Sequence, residues 1–245
     1  MSLLSSKRTI FAFSFLVLST FSQSFAQTPR RAPAGGMRAV VVDERLAVLR
    51  DEPDFSARLL QRMSRGRMVA ILGQRRTPEG VTFYRVAVTR RTRGWLQGDA
   101  VVVPGRAGDD ERLLRLIRGS EDFDRIVRAR IFLDMFTRSP LRPTVLMLYG
   151  MEAEAAAVRL SRDAVRRLEE REMTAGGAPV FSYFMNYNGL DRYRRQEIVF
   201  TFDPARKQYR YNGAAWREIL RRYPQSGEAA EARKRLEALS VIPGR

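Results

Sequence analysis

Between Leu46 and Val102 the apolar residues come in short bursts: Leu46-Ala-Val-Leu49 before Arg50, Leu59-Leu60, Val69-Ala-Ile-Leu72, Phe83-Tyr-Arg-Val-Ala-Val88 and Trp95-Leu96. Pro53, Gly66, Gly80 and Gly98 punctuate them. Runs of about four to six residues with turn formers every ten or so predict a small closed all-β barrel over 38–104. Alternation assigns faces. In the run Phe83 to Val88, the residues Tyr84, Val86 and Val88 share one side, while Phe83, Arg85 and Ala87 share the other. One of the two adjacent aromatics is therefore expected outside the core. Trp95 follows Gly94, which predicts a bulge or tight bend that lays the indole across the barrel surface. Thr89-Arg-Arg-Thr-Arg93 reads as a hairpin tip carrying three positive charges.

After Pro104 the period changes from two to about three and a half, and an α-helical domain is expected over 108–240. Asp109-Asp-Glu111 places acids where they oppose a helix macrodipole, Leu113, Leu114 and Ile117 follow at helical spacing, and Gly119 stops the helix. A second helix begins near Asp122 and carries Phe123, Ile126, Val127, Ile131, Phe132 and Met135 on one side. Arg142-Pro143 punctuates its end, and the longest helix is expected from Thr144 to about Arg171, with alanines that allow a neighbour to approach closely. Phe200, Phe202, Tyr209 and Tyr211 alternate around Asp203-Pro204, which suggests an inserted β-hairpin. A continuous helix is the rival there, and Pro204 disfavours it. Tyr187-Asn-Gly189 and Tyr211-Asn-Gly213 each precede a helical pattern, as helix capping by asparagine would explain.

The first residues change the setting. Lys7 and Arg8, an apolar stretch from Ile10 to Phe21 and the small-x-small step Ser24-Phe25-Ala26 read as a secretory signal peptide over 1–26. The apolar run is shorter than the about 20 residues a membrane span needs and is broken by Ser14, Ser19, Thr20 and Ser22. Residues 27–37, rich in Pro, Gly and Arg, read as a flexible linker. The chain is expected in the periplasm or secreted, with no transmembrane segment once matured.

The sequence has no cysteine and no histidine among its 245 residues. That removes Cys nucleophiles, imidazole bases and His/Cys metal sites, so no metal, no cofactor and no catalytic residue is expected. Two carboxylates suffice for glycosidase chemistry. The nearest candidates, Glu152, Glu154, Glu169, Glu170 and Glu172, are spaced so that they spread around a helix rather than converge. The formal charge is +17, from 44 basic and 27 acidic residues. Such an excess favours polyanions, whether nucleic acid, anionic lipid or acidic wall polymer, without choosing among them. Export makes nucleic acid the unlikely one.

The opening Leu46-Ala-Val-Leu-Arg50 strand, the Pro53 loop, the Gly66 turn, the aromatic strand at Phe83-Tyr84 and the Arg93-Gly-Trp-Leu96 closure together resemble the bacterial SH3-like domain. The stretch Ala215-Trp216, Ile219-Leu220, Tyr223-Pro224, Ser226, Ala229-Ala230, Ala232 and Leu236 resembles the helix-turn-helix of tetratricopeptide-type units. The expected class is thus α+β multidomain: a small SH3-like β-barrel, then a tetratricopeptide-like helical domain with a possible inserted hairpin. The first resemblance implies binding of peptidoglycan or another anionic wall component by a non-enzymatic protein. Its ligand-binding residues would be Phe55, Phe83 or Tyr84, Arg85, Arg93 and Trp95, with Tyr84 and Trp95 equally able to close the core. The second implies an envelope protein partner. Two alternatives stand beside this: a protein–protein scaffold with no wall binding, and a carboxylate-dependent wall hydrolase.

Overall fold

Strand alternation and helical stripes fold as two layers, each with its own buried cluster, joined where strand residues enter the helical one. The computed structural model describes residues 35–240, so the expected signal peptide and most of the expected linker lie outside the described residues. The first layer is an antiparallel sheet built from β1 (Met37–Val41), β2 (Val48–Arg50), β3 (Leu59–Arg62), β4 (Met68–Arg76), β5 (Thr82–Ala87), β6 (Arg93–Gln97) and β7 (Val101–Val102). Its seven strands run in the order β3-β2-β6-β5-β4-β1-β7.

The expected barrel does not close: β3 and β7 are the two ends of the sheet and do not pair. The chemistry at β7 shows why. Where a closing strand would bind, the Val103 amide donates to Asp109 Oδ2 at 2.7 Å. The Arg112 guanidinium donates to the carbonyl of Asp99 at 3.1 Å and also to that of Val101. The chain thus turns into its first helix by consuming the edge that closure would use. At the other end β3 is only four residues long and exposed throughout. The sheet still curls around its own core. Leu49, Val69, Tyr84, Val86, Leu96 and Val101 belong to one buried cluster although they come from strands near both ends.

β1 joins the layers. Alternation along it sends Ala39 and Val41 into the sheet's core, whereas Val40 and, just past its end, Val42 join the helical core with Val102. Above them lie α1 (Asp109–Arg118), α2 (Asp122–Met135) and α3 (Arg142–Arg167), then α4 (Glu170–Ala175), α5 (Val180–Met185) and α6 (Asp191–Arg194). A hairpin of β8 (Phe200–Asp203) and β9 (Gln208–Tyr211) follows, and α7 (Ala214–Arg222) and α8 (Ala229–Ser240) end the described chain. The architecture is mixed α+β, with an antiparallel sheet followed by helices.

α3 differs from expectation at both ends. Arg142-Pro143 opens the helix instead of ending the previous one, because proline is well suited to a first turn that needs no amide donor. The helix stops at Arg167, where Leu168 is extended, and α4 is a separate short helix. Ala153, Ala156, Ala157 and Ala164 are buried as α3 packs against α2, α7 and β9. The hairpin forms: Phe200 pairs with Tyr211 and Phe202 with Tyr209. At the next helix start the N-cap residue is Gly213, and Asn212 sits one position earlier, its Oδ1 accepting the Ala214 amide at 3.0 Å.

Candidate functional site

Cross-strand register decides which residues share a face, since directly paired residues point to the same side. On the side of the sheet away from its own core, β5 presents Phe83, Arg85 and Ala87. Opposite them on β6 stand Gln97, Trp95 and Arg93, and opposite Phe83 and Arg85 on β4 stand Arg75 and Gly73. β2 adds Arg50, which pairs with Trp95. A row therefore runs Gly73, Arg85, Trp95, Arg50 across four strands. Phe83 lies one step to one side of it and Arg93 one step to the other.

Gly94 makes this arrangement possible, though not through a bulge. It pairs in register with Val86. A Cβ there would stand 2.6 Å from the Arg50 carbonyl oxygen and 2.9 Å from the Leu49 side chain. Glycine lets β2 close onto β6 and bring Arg50 beside Trp95. The irregularities of the sheet fall elsewhere, at Leu49/Arg50 and at Ile71/Gly73.

The loop between β2 and β3 carries the remaining aromatic. Phe55 is 54% exposed and rests edge-on against Phe83, with ring centroids 5.3 Å apart. Three local contacts hold the loop. Arg50 Nη1 donates to the Ala57 carbonyl at 2.6 Å, Arg58 Nε donates to Asp51 at 3.1 Å, and the Ser56 amide and hydroxyl donate to Asp54 at 2.6 Å. The hydrogen-bonded Arg58 keeps the Asp51 carboxyl below its usual range, and the Ser56 contacts do the same for Asp54. Phe83 itself is buried under this cover, and Trp95 is half-buried.

Tyr84 is the residue the structure removes from the expected set. It points into the sheet's core opposite Leu96, and its hydroxyl accepts a hydrogen bond from Arg106, whose guanidinium also lies 5.7 Å from the ring centroid. The other five, Phe55, Phe83, Arg85, Arg93 and Trp95, meet on one face. Arg50, Arg75 and Gln97 join them there, and alternation within a single strand could not have found them. Only the pairing between strands does. At the strand ends the tip is closed by Thr89, whose hydroxyl accepts the amides of Arg91 and Thr92 at 3.2 and 2.9 Å. That leaves Arg90 and Arg91 exposed.

Along the strands of this face the charge is one-sided, the carboxylates Asp51 and Asp54 lying in the Phe55 loop. The paired positions on β2, β4, β5 and β6 supply Arg50, Arg75, Arg85 and Arg93 and no carboxylate. Arg75, Arg85 and Arg93 make no ion pair among the described residues. A flat aromatic flanked by unpaired guanidiniums can hold the apolar face of a sugar or peptide and a carboxylate or phosphate beside it.

Of the carboxylates weighed for glycosidase chemistry, Glu152 and Glu154 sit in the helical layer and are engaged. Glu152 is buried and bridges Arg125 and Arg159 at 3.1 and 2.8 Å. Glu154 accepts from Trp216 Nε1 at 3.0 Å and from Arg235 Nη1 at 2.6 Å. Among the described residues no group of three or more acidic side chains is placed to hold a metal ion, and no helix is long and apolar enough to cross a membrane. No protein-family model, curated protein or solved structure matches the chain.

Proposed function

We propose that this chain is an exported, non-enzymatic binding protein of the bacterial envelope. Its sheet layer would be an open relative of the SH3-like domain that attaches to peptidoglycan or another anionic wall component. The observation that carries this reading is the Arg85–Trp95–Arg50 row, with Phe55 over Phe83 beside it and no acid among its paired positions. Trp95 is the shelf for the flat part of the ligand. Arg85 and Arg93 face its carboxylates, and Arg50 serves mainly to hold the Phe55 loop.

The tetratricopeptide-like α7–α8 pair would hold a protein partner. Support comes from its geometry: two helices joined through Tyr223-Pro-Gln-Ser226, with the Ser226 amide bonded to the Tyr223 carbonyl at 3.0 Å and Ala229 and Ala232 buried at the contact. Removing the pair outright would be uninformative, because Trp216 of α7 is completely buried against α3. Charge reversal at the exposed Arg233 and Lys234 tests it without that damage.

Sedimentation with purified wall sacculi tests the first part. At low salt the protein is expected in the pellet, the Trp95→Ala and Arg85→Glu variants in the supernatant, and raised salt is expected to release the protein. A protein that stays in the supernatant at low salt overturns the wall-binding reading. If Arg233→Glu with Lys234→Glu then abolished capture of an envelope partner while Trp95→Ala left it unchanged, the scaffold without wall binding would replace it.

A further inference from the structure

Pairing register places three free arginines on one oblique line across the outer face of the sheet. Arg75 on β4 stands level with Phe83 of β5, Arg85 lies two residues further along β5, and Arg93 on β6 stands level with Ala87, two residues further again. Each step crosses one strand and advances two residues, so neighbouring arginines are about 7–8 Å apart and the three span about 15 Å. All three are exposed, and none of their side chains makes an ion pair or a hydrogen bond among the described residues.

The two flanks of this line differ. On one side Phe83 and Trp95 follow a parallel oblique line, with Phe55 resting on Phe83. On the other side Gly73 and Ala87 follow a third, with little bulk to rise from the sheet. Packing does not require a glycine at position 73. Its φ lies outside the left-handed region, and a Cβ there would meet nothing within 4 Å. The space above it is open, and a glycine inside a strand often marks a place where another molecule lies close to the backbone.

We propose that a linear acidic glycan lies along this oblique line, a proposal that rests on the wall-binding reading of the same face. Successive carboxylates of the chain meet Arg75, Arg85 and Arg93, its ring faces lie on Trp95 and Phe55, and its outer edge runs over Gly73. Three neighbouring guanidiniums with no carboxylate at their paired positions repel one another until several anions cover them together. A single small anion covers one or two of them. The face therefore selects a polymer read along its length over an isolated anionic group. Later contacts on a chain already held by one arginine are intramolecular, so affinity grows with chain length until the line is covered.

Calorimetric titration of the full chain at low salt with galacturonic acid oligomers tests this. The hexamer is expected to bind at least about a hundredfold more tightly than the single sugar, and raised salt is expected to weaken it. Arg75→Ala should weaken hexamer binding by about twofold to fivefold, the range of an exposed charge pair. Gly73→Leu should weaken it by obstructing the chain, with an unchanged urea midpoint. Affinity that does not rise from the single sugar to the hexamer, or a hexamer that binds both variants as tightly as the unmodified chain, overturns the oblique line. Hexaglutamate bound as tightly as the hexamer overturns the glycan and makes an acidic peptide the occupant. Sacculi separate this proposal from the reading beneath it. A protein that pellets with sacculi but does not bind the hexamer overturns the oblique line alone, and one that binds the hexamer but stays out of the sacculi pellet overturns wall attachment alone.

Discussion

Gly150 has no side chain because Trp216 needs the space. A Cβ on Gly150 would come within 2.4 Å of the indole, which is fully buried and donates its N–H to Glu154. Gly150→Ala should therefore destabilise the fold by about 1–3 kcal/mol, the usual range for overpacking, visible as a lower urea midpoint with an unchanged slope. Three tyrosines tie the same region together. Tyr149 donates to the Gln196 carbonyl, Tyr209 donates to that of Phe184 at 2.5 Å, and Tyr211 accepts the Ala215 amide at 2.7 Å. Burial pushes the Tyr211 hydroxyl up to about 12 and those of Tyr149 and Tyr209 further still. A raised folded value means the folded state holds the proton more tightly, so their contribution is complete below the free phenol value of about 10 and is lost as pH rises past it. Thermal melts should stay level from neutral pH to about 10 and then fall. Replacing Tyr211 by Phe should flatten part of that fall, and an unchanged fall in the variant would contradict this.

At the level of single elements, the β8–β9 hairpin shows what local pattern can and cannot give. Alternation of Phe200, Phe202, Tyr209 and Tyr211 around Pro204 was enough to predict it. Nothing local predicted that it would be fastened to α3. The Ser161 hydroxyl donates to the Ala157 carbonyl at 2.7 Å and accepts the Tyr209 amide at 2.8 Å. Ser161→Ala should leave that buried amide without a partner and cost about 1–3 kcal/mol, read by urea unfolding, whereas Ser161→Thr should cost less. The candidate site divides along the same line. Alternation separated Phe83 and Arg85 from Tyr84, and the Gly-Trp step singled out Trp95. Arg50, Arg75 and the position of Phe55 over Phe83 depend on register between segments and on loop contacts, which no run of residues spells out. Closure of the sheet failed to be legible for a related reason. It depended on whether β7 would meet β3 or surrender its edge to Asp109 and Arg112, a competition between distant parts of the chain.

Across the whole molecule, the sheet and the helices are bound through buried polar contacts as well as through the few sheet-layer valines that enter the helical core. Arg128 is buried and donates to the Val42 carbonyl at 3.1 Å and to the Ser120 hydroxyl at 2.6 Å, while Arg65 bonds Asp124 at 2.7 Å across the layers. Val40, Val42 and Val102 lie in the same cluster as the helical residues. The two layers should therefore melt together, giving one calorimetric transition whose calorimetric and van't Hoff enthalpies agree; two separated transitions would contradict this coupling between them. On this rigid base the outer face of the sheet carries the proposed activity, and its reporter is built in. Only two tryptophans are present, and Trp216 is fully buried. Titration of the protein with solubilised wall fragments, followed by tryptophan emission, addresses the central claim most directly. The account predicts a saturable change at low salt that disappears in Trp95→Phe and weakens as salt rises, and emission that stays constant while the fragments bind would contradict it.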